Sequence, residues 1–221
     1  MELCRLEKVS KTYEVGDAVC PIHELSLTIN AGDFLAIEGP SGTGKSTLLY
    51  LMSGLLRPTQ GDVFLQNQNL STLPDPVATE LRRRMVGFIF QETNLFQALT
   101  VEGNLRFVQS LGKNKPDGKK IAHYLEELGL SDRHLHLPHQ LSVGQRRRLV
   151  VARALINDAP LILADEPTND LDDFWAGKVM ELLAGVVEGG GAVVMVTHNY
   201  HWARQAQQRY RLQEGRLVLC G

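Results

Sequence analysis

Apolar positions along the chain fall into short unbroken runs, alternating runs and helical-period runs. Phe34-Leu35-Ala36-Ile37 and Val86-Gly87-Phe88-Ile89-Phe90 read as short strands. Leu161-Ile162-Leu163-Ala164 and Ala192-Val193-Val194-Met195-Val196 are apolar runs of the kind found in centrally buried parallel strands. Strands are also predicted around Cys4 to Val9, over Ile22 to Ile29 with its alternating His23-Glu24-Leu25-Ser26-Leu27, at Val63-Phe64-Leu65, and at the end over Gly215 to Leu219. Turns at Asn30-Ala31-Gly32-Asp33 and Pro58-Thr59-Gln60-Gly61-Asp62 separate them. Helices are predicted over Thr47 to Met52, Ile121 to Leu128 and Phe174 to Val187, the last as the crossover between the two buried strands. From Thr93 to Arg153 glycine-bounded helical segments replace strands, with Lys113 to Gly118 a solvated connection. The pattern is α/β with a helical insertion.

Composition narrows this only a little. The 221 residues, 43% hydrophobic and 22% charged, suffice for one sizeable domain or a domain with an inserted subdomain. The formal net charge of -2 gives no general attraction to nucleic acid or anionic lipid. No apolar run approaches a membrane-spanning length, and Met1-Glu2-Leu3-Cys4-Arg5 has neither the basic start nor the apolar core of a secretion signal. Cys4, Cys20 and Cys220 lack metal-ligand spacing and read as free thiols in a reducing, cytoplasmic compartment.

The chemistry starts where the first buried strand ends. Gly39-Pro40-Ser41-Gly42-Thr43-Gly44-Lys45-Ser46-Thr47 matches G-x-x-x-x-G-K-[ST]. Glycines let consecutive backbone N–H groups close around a β-phosphate, Lys45 reaches the β/γ oxygens, and the Ser46 hydroxyl is placed for Mg²⁺. A strand before this loop and a helix after it put the positive helix end under the phosphates. Nucleotide binding is the prediction.

Two later strands also end in reactive residues. Asp165-Glu166 follow Leu161 to Ala164, at the strand end where open parallel sheets bind ligands. Asp165 suits a Mg²⁺ shell, and Glu166 suits a base that polarises attacking water. His198 follows Val193 to Thr197; beside the phosphate-loop strand it would point into the same crevice, and otherwise it is structural. His123, His134, His136, His139 and His201 have no comparable placement, and no metal is assigned to them. Arg82-Arg83-Arg84 and Arg146-Arg147-Arg148 read as solvated helix faces, with a partner surface as the alternative; neither is interleaved with exposed aromatics as a single-strand binder needs.

Adding Leu141-Ser142-Val143-Gly144-Gln145, the chain closely resembles the ATP-binding subunit of ABC transporters over nearly its whole length. The resemblance implies a P-loop ATPase fold with an N-terminal antiparallel β region. Residues 1–92 and 154–221 would form the core, and 93–153 the helical signature subdomain. It implies ATP and Mg²⁺ as ligands, with Tyr13 stacking on adenine and Gln91 contacting Mg²⁺ and the lytic water. Ser142, Gly144 and Gln145 would address the ATP of a second copy. Glu166 is the implied general base, His198 the switch histidine and Asp172 the aligned acid of the interface-crossing loop. Lys45 is counted with the catalytic set.

Two departures stand out against the family pattern. Val143 replaces a glycine, which is costly if that backbone needs a positive φ. Asn169-Asp170 follow Pro167-Thr168 where relatives carry Gly-Asn. Phe90 to Phe96, Leu99 to Asn104 and Glu166-Pro167-Thr168 look like the lipoprotein-releasing and macrolide-exporting branch. That branch implies an integral membrane permease with a large extracytoplasmic domain, and a place on the cytoplasmic face of a bacterial inner membrane. No nucleic acid is expected. The alternatives are a soluble ABC ATPase acting on a nucleoprotein and an ATP-binding regulatory subunit with little turnover.

Overall fold

A computed structural model describes residues 1–14, 19–112 and 115–220. The chain opens with two long antiparallel strands, β1 (Glu2–Tyr13) and β2 (Val19–Asn30), then the buried strand β3 (Phe34–Glu38) and helix α1 (Lys45–Met52). β4 (Gln60–Leu65) and the two-residue β5 (Gln68–Asn69) precede α2 (Asp75–Met85), which runs without a loop into β6 (Val86–Ile89). The helical part holds α3 (Val101–Leu111), α4 (Gly118–Glu127) and α5 (Val143–Leu155). β7 (Leu161–Asp165), α6 (Asp173–Glu188), β8 (Ala192–Thr197), the short α7 (Tyr200–Ala203), β9 (Gln208–Gln213) and β10 (Arg216–Leu219) complete it.

Two sheets result. One is antiparallel, in the order β2-β1-β4-β5. The other has six strands in the order β10-β9-β3-β8-β7-β6, parallel except for β10. β3, β8 and β7 are neighbours, with Glu38 opposite Thr197 and Asp165 opposite Val196. All three therefore deliver their C-terminal residues to one edge of the sheet.

Alternation along these strands divides the interior in two. Phe34, Ala36, Ile162, Ala164, Val193 and Met195 face a core shared with α3, α4, α5 and α6. Leu35, Ile37, Leu161, Leu163, Val194 and Val196 face a second core shared with the antiparallel sheet, α1 and α2. Helix α5 presses onto β6 at Gly87, where a Cβ would lie 2.4 Å from the Ala154 carbonyl oxygen and 2.6 Å from Ile162 Cδ1.

Some expectations need correction. Arg147 and Arg148 do not form a solvated face or a partner surface: both are buried. The α5 helix faces the interior along most of its length, and the two guanidiniums find backbone carbonyls there. Strand β9 escaped the sequence pattern because its Gln-Arg-Tyr-Arg-Leu-Gln run buries only Leu212. Of the solvated connection expected over Lys113 to Gly118, residues 113 and 114 lie outside the described residues; Lys115 to Asp117 are exposed, and Gly118 already begins α4. Among the described residues no helix is long and apolar enough to cross a membrane.

Candidate nucleotide site

The loop between β3 and α1 turns on glycines in left-handed conformations, Gly42 at φ 82 and Gly44 at φ 100. Gly44 is doubly constrained, since a Cβ there would also sit 2.8 Å from Pro21 Cβ. Lys45, the first residue of α1, folds back and donates from Nζ to the Gly39 carbonyl at 2.7 Å and the Pro40 carbonyl at 2.8 Å. Thr43 Oγ1 donates to the Pro40 carbonyl at 3.0 Å. The loop is closed on itself, with the start of α1 beneath it.

A cleft of about 340 Å³ lies over this loop. Ser41, Gly42, Gly44, Lys45, Ser46 and Thr47 form its floor, and Gln91, Asp165 and Glu166 form one wall. Tyr13, Val19 and Pro21 supply an opposite rim from the antiparallel sheet, with Tyr13 more than a third exposed. The size and the mixture of apolar rim and polar floor are those of small-ligand sites.

Asp165 closes β7 and is 2% exposed. Burial pushes its carboxyl above the usual range, the hydrogen bond from Ser46 opposes this, Glu166 adds to the rise, and Lys45 and Arg147 counter it. Among the described residues its Oδ2 is buried with no hydrogen-bond partner. An orphaned carboxylate oxygen beside a hydroxyl is a donor set that fits Mg²⁺, a hard cation that takes oxygen ligands.

Glu166 is turned away from the strand, with φ at 48, and is 6% exposed. Its carboxylate is held by donors from the end of β8. Thr197 Oγ1 donates to Oε2 at 2.9 Å, while the His198 backbone N–H donates to Oε1 at 3.0 Å and His198 Nδ1 lies 2.8 Å from the same oxygen. His198 does not itself line the cleft; its ring contacts the Glu166 carboxylate that does. Thr197, fully buried, was not singled out in the sequence, where it reads as one more strand residue.

Ser142, Gly144 and Gln145 do not line this cleft. Ser142 caps α5: its Oγ accepts from the Gln145 N–H at 3.2 Å, and Gln145 Oε1 accepts from the Ser142 N–H at 2.9 Å. Val143 is the first helical residue and is not among those with positive φ, so the valine brings no left-handed strain. Gly144 lies against the loop after Glu166, where a Cβ would be 3.0 Å from the Asp170 carbonyl oxygen. Asp172 caps α6, accepting from the Trp175 N–H at 2.9 Å.

A glycine-turned loop over a helix start, facing an acidic strand end across one cleft, defines a phosphate-loop nucleotide-binding domain. Known proteins narrow the class. The family model described as ABC transporter matches residues 22–169, and the chain belongs to that family as an ATP-binding and ATP-hydrolysing domain. It is 40% identical over 220 residues to the macrolide export ATP-binding/permease protein MacB of Brucella abortus. That match covers 98% of this chain and 34% of MacB, so the chain spans about a third of that relative's length. The uncharacterized ABC transporter ATP-binding protein YvrO of Bacillus subtilis is 37% identical, with 97% of this chain and 95% of that protein covered. A dimeric post-hydrolysis structure of the cassette MJ0796 of Methanocaldococcus jannaschii, bound to ADP and Pi, superposes with a TM-score of 0.92 at 36% identity, covering 97% of this chain and 96% of that one.

Proposed function

We propose that this domain is the motor of a transport complex, in which two copies share two composite ATP sites and drive a separate membrane permease. Supporting the paired arrangement, the similar cassette MJ0796 is dimeric in a state bound to ADP and Pi. The permease has support in MacB, which by name combines ATP-binding and permease parts, and in YvrO, which is named as an ATP-binding protein alone and matches nearly end to end. The cargo class would be that of the lipoprotein-releasing and macrolide-exporting branch: a lipoprotein, lipid, peptide or drug. The same machinery would serve envelope mechanotransmission. The domain would then sit at the cytoplasmic face of a bacterial inner membrane.

Within each site, Gly39 to Thr47 would cradle the phosphates and Tyr13 would stack on adenine. Ser46, Asp165 and Gln91 would hold Mg²⁺, which neutralises developing phosphate charge when bound. Ser142, Gly144 and Gln145 would close on the nucleotide of the other copy. Glu166 would accept the proton of the attacking water, with His198 beside it. The observation that carries this reading is the Glu166 carboxylate, buried on the cleft wall and fixed by Thr197 and His198 rather than left to swing.

The test is Glu166→Gln. ATP binding should be kept while turnover falls roughly 10²-fold or more, the scale of a lost general base. Near-normal hydrolysis by the purified variant removes Glu166 from that role. The same variant, held with ATP and Mg²⁺, should co-purify from native membrane extract with an integral membrane protein bearing a large external domain. Recovery of ribosomal or nucleic-acid machinery instead would overturn the transport assignment and leave the ATPase chemistry standing.

A further inference from the structure

Among the described residues β6 is an edge strand, yet the carbonyls of the chain that leaves it are not left to water. Helix α5 reaches over and binds them. Arg147 donates from Nη1 to the Phe90 carbonyl at 2.8 Å and from Nη2 to the Gln91 carbonyl at 2.6 Å. Six residues further along α5, Arg153 donates to the Thr93 carbonyl at 3.3 Å and the Asn94 carbonyl at 2.5 Å. A planar guanidinium takes two successive carbonyls with two N–H groups fixed in one rigid fork, whereas an ammonium does so only from a single point on a flexible stem.

Arg147 does more than satisfy a strand end. It is 3% exposed, in the second turn of the helix that Ser142 caps. The same Nη2 lies 3.7 Å from Asp170 Oδ2, in the loop that follows Glu166. Gly144, three residues earlier, lies against the carbonyl of that same Asp170. One buried cation therefore joins the head of α5, the backbone of Gln91 and the loop after Glu166. The Gln91 side chain stands on the cleft wall with Asp165 and Glu166.

We infer that Arg147 is a positioning residue for ATP hydrolysis: it locks the Gln91 backbone to the start of α5, so that movement of this helix is transmitted to the cleft wall. The inference rests on the proposed role of Gln91 at the site of hydrolysis. Simple carbonyl pairing would require none of the dependence on the Gln91 side chain that this role predicts.

The experiment is a cycle of R147K in the native chain and in Q91A, with steady-state hydrolysis of ATP as the readout. R147K keeps the buried charge and loses the rigid planar fork. It should lower kcat roughly tenfold, short of the ~10²-fold that a larger misplacement of reacting groups brings, with KM for ATP within about twofold. In the Q91A background the same change should alter kcat less than about twofold, because the group it positions is gone. Equal losses in both backgrounds, or native kcat in R147K, overturn the inference while leaving the role of Gln91 intact. Native turnover in Q91A itself overturns both. A second readout is amide hydrogen exchange: R147K should speed it over residues 90–94 and leave the interior of α5 unchanged, and unaltered exchange there counts against the lock.

Discussion

Glu166 shows how much a single side chain owes to its neighbours. Beside the two contacts from His198, the Thr197 hydroxyl donates to Oε2 at 2.9 Å inside the protein. A hydrogen bond to a buried charged group contributes about 1.5–3 kcal/mol. Thr197→Val keeps the shape and removes the donor. It should lower kcat roughly tenfold, the rate equivalent of about 1.4 kcal/mol, without changing ATP affinity in a titration. Thr197→Ser should recover most of the rate; failure of serine to do so would assign the loss to packing. At this scale the sequence is readable wherever chemistry has a spacing: the phosphate loop and the Asp165-Glu166 pair each stand out as a motif, and the structure brings them to one cleft. Thr197 and Arg147 do not stand out, for a common reason. Their partners are a rotated carboxylate and the carbonyls of a strand end, and neither has a signature in local spacing.

Elements were legible in proportion to their burial. β3, β7 and β8 are buried at every position and stood out as unbroken apolar runs. β9 buries a single side chain and did not. The basic run on α5 misled because amphipathic reasoning assigns charge to the water side, whereas this helix has little water side to offer. Its Arg148 lies with its guanidinium carbon 3.8 Å from the centre of the Trp175 ring and also donates to the Gly129 carbonyl at 3.3 Å. The same closeness makes the contact between α5 and β6 intolerant. Gly87→Ala would place a methyl group inside van der Waals range of the Ala154 carbonyl and Ile162. A loss of about 1–3 kcal/mol is expected from such overpacking, read as a lower Tm in thermal denaturation. An unchanged Tm would mean that the helix can back away freely.

For the whole molecule, the order of the strands decides what meets what. Because β8 lies between β3 and β7, the phosphate loop, the acidic pair and His198 converge although they are far apart in the chain. Sequence alone suggested that convergence only conditionally, since adjacency in a sheet is not encoded in any one segment. The division into a core and a helical insertion is likewise a matter of chain order more than of packing. Leu105, Ile121 and Leu125 of the insertion share one apolar cluster with Ile162, Val193 and Met180 of the core. Melting one part alone would expose the apolar surface that the other buries, which couples their unfolding. Heating should therefore give a single calorimetric transition, with calorimetric and van't Hoff enthalpies equal, and two resolved peaks would refute it. What the shared cluster excludes is independent melting: any swing of the helical part during turnover must be a sliding of packed side chains over one another, which favours a few discrete resting positions over a continuous range.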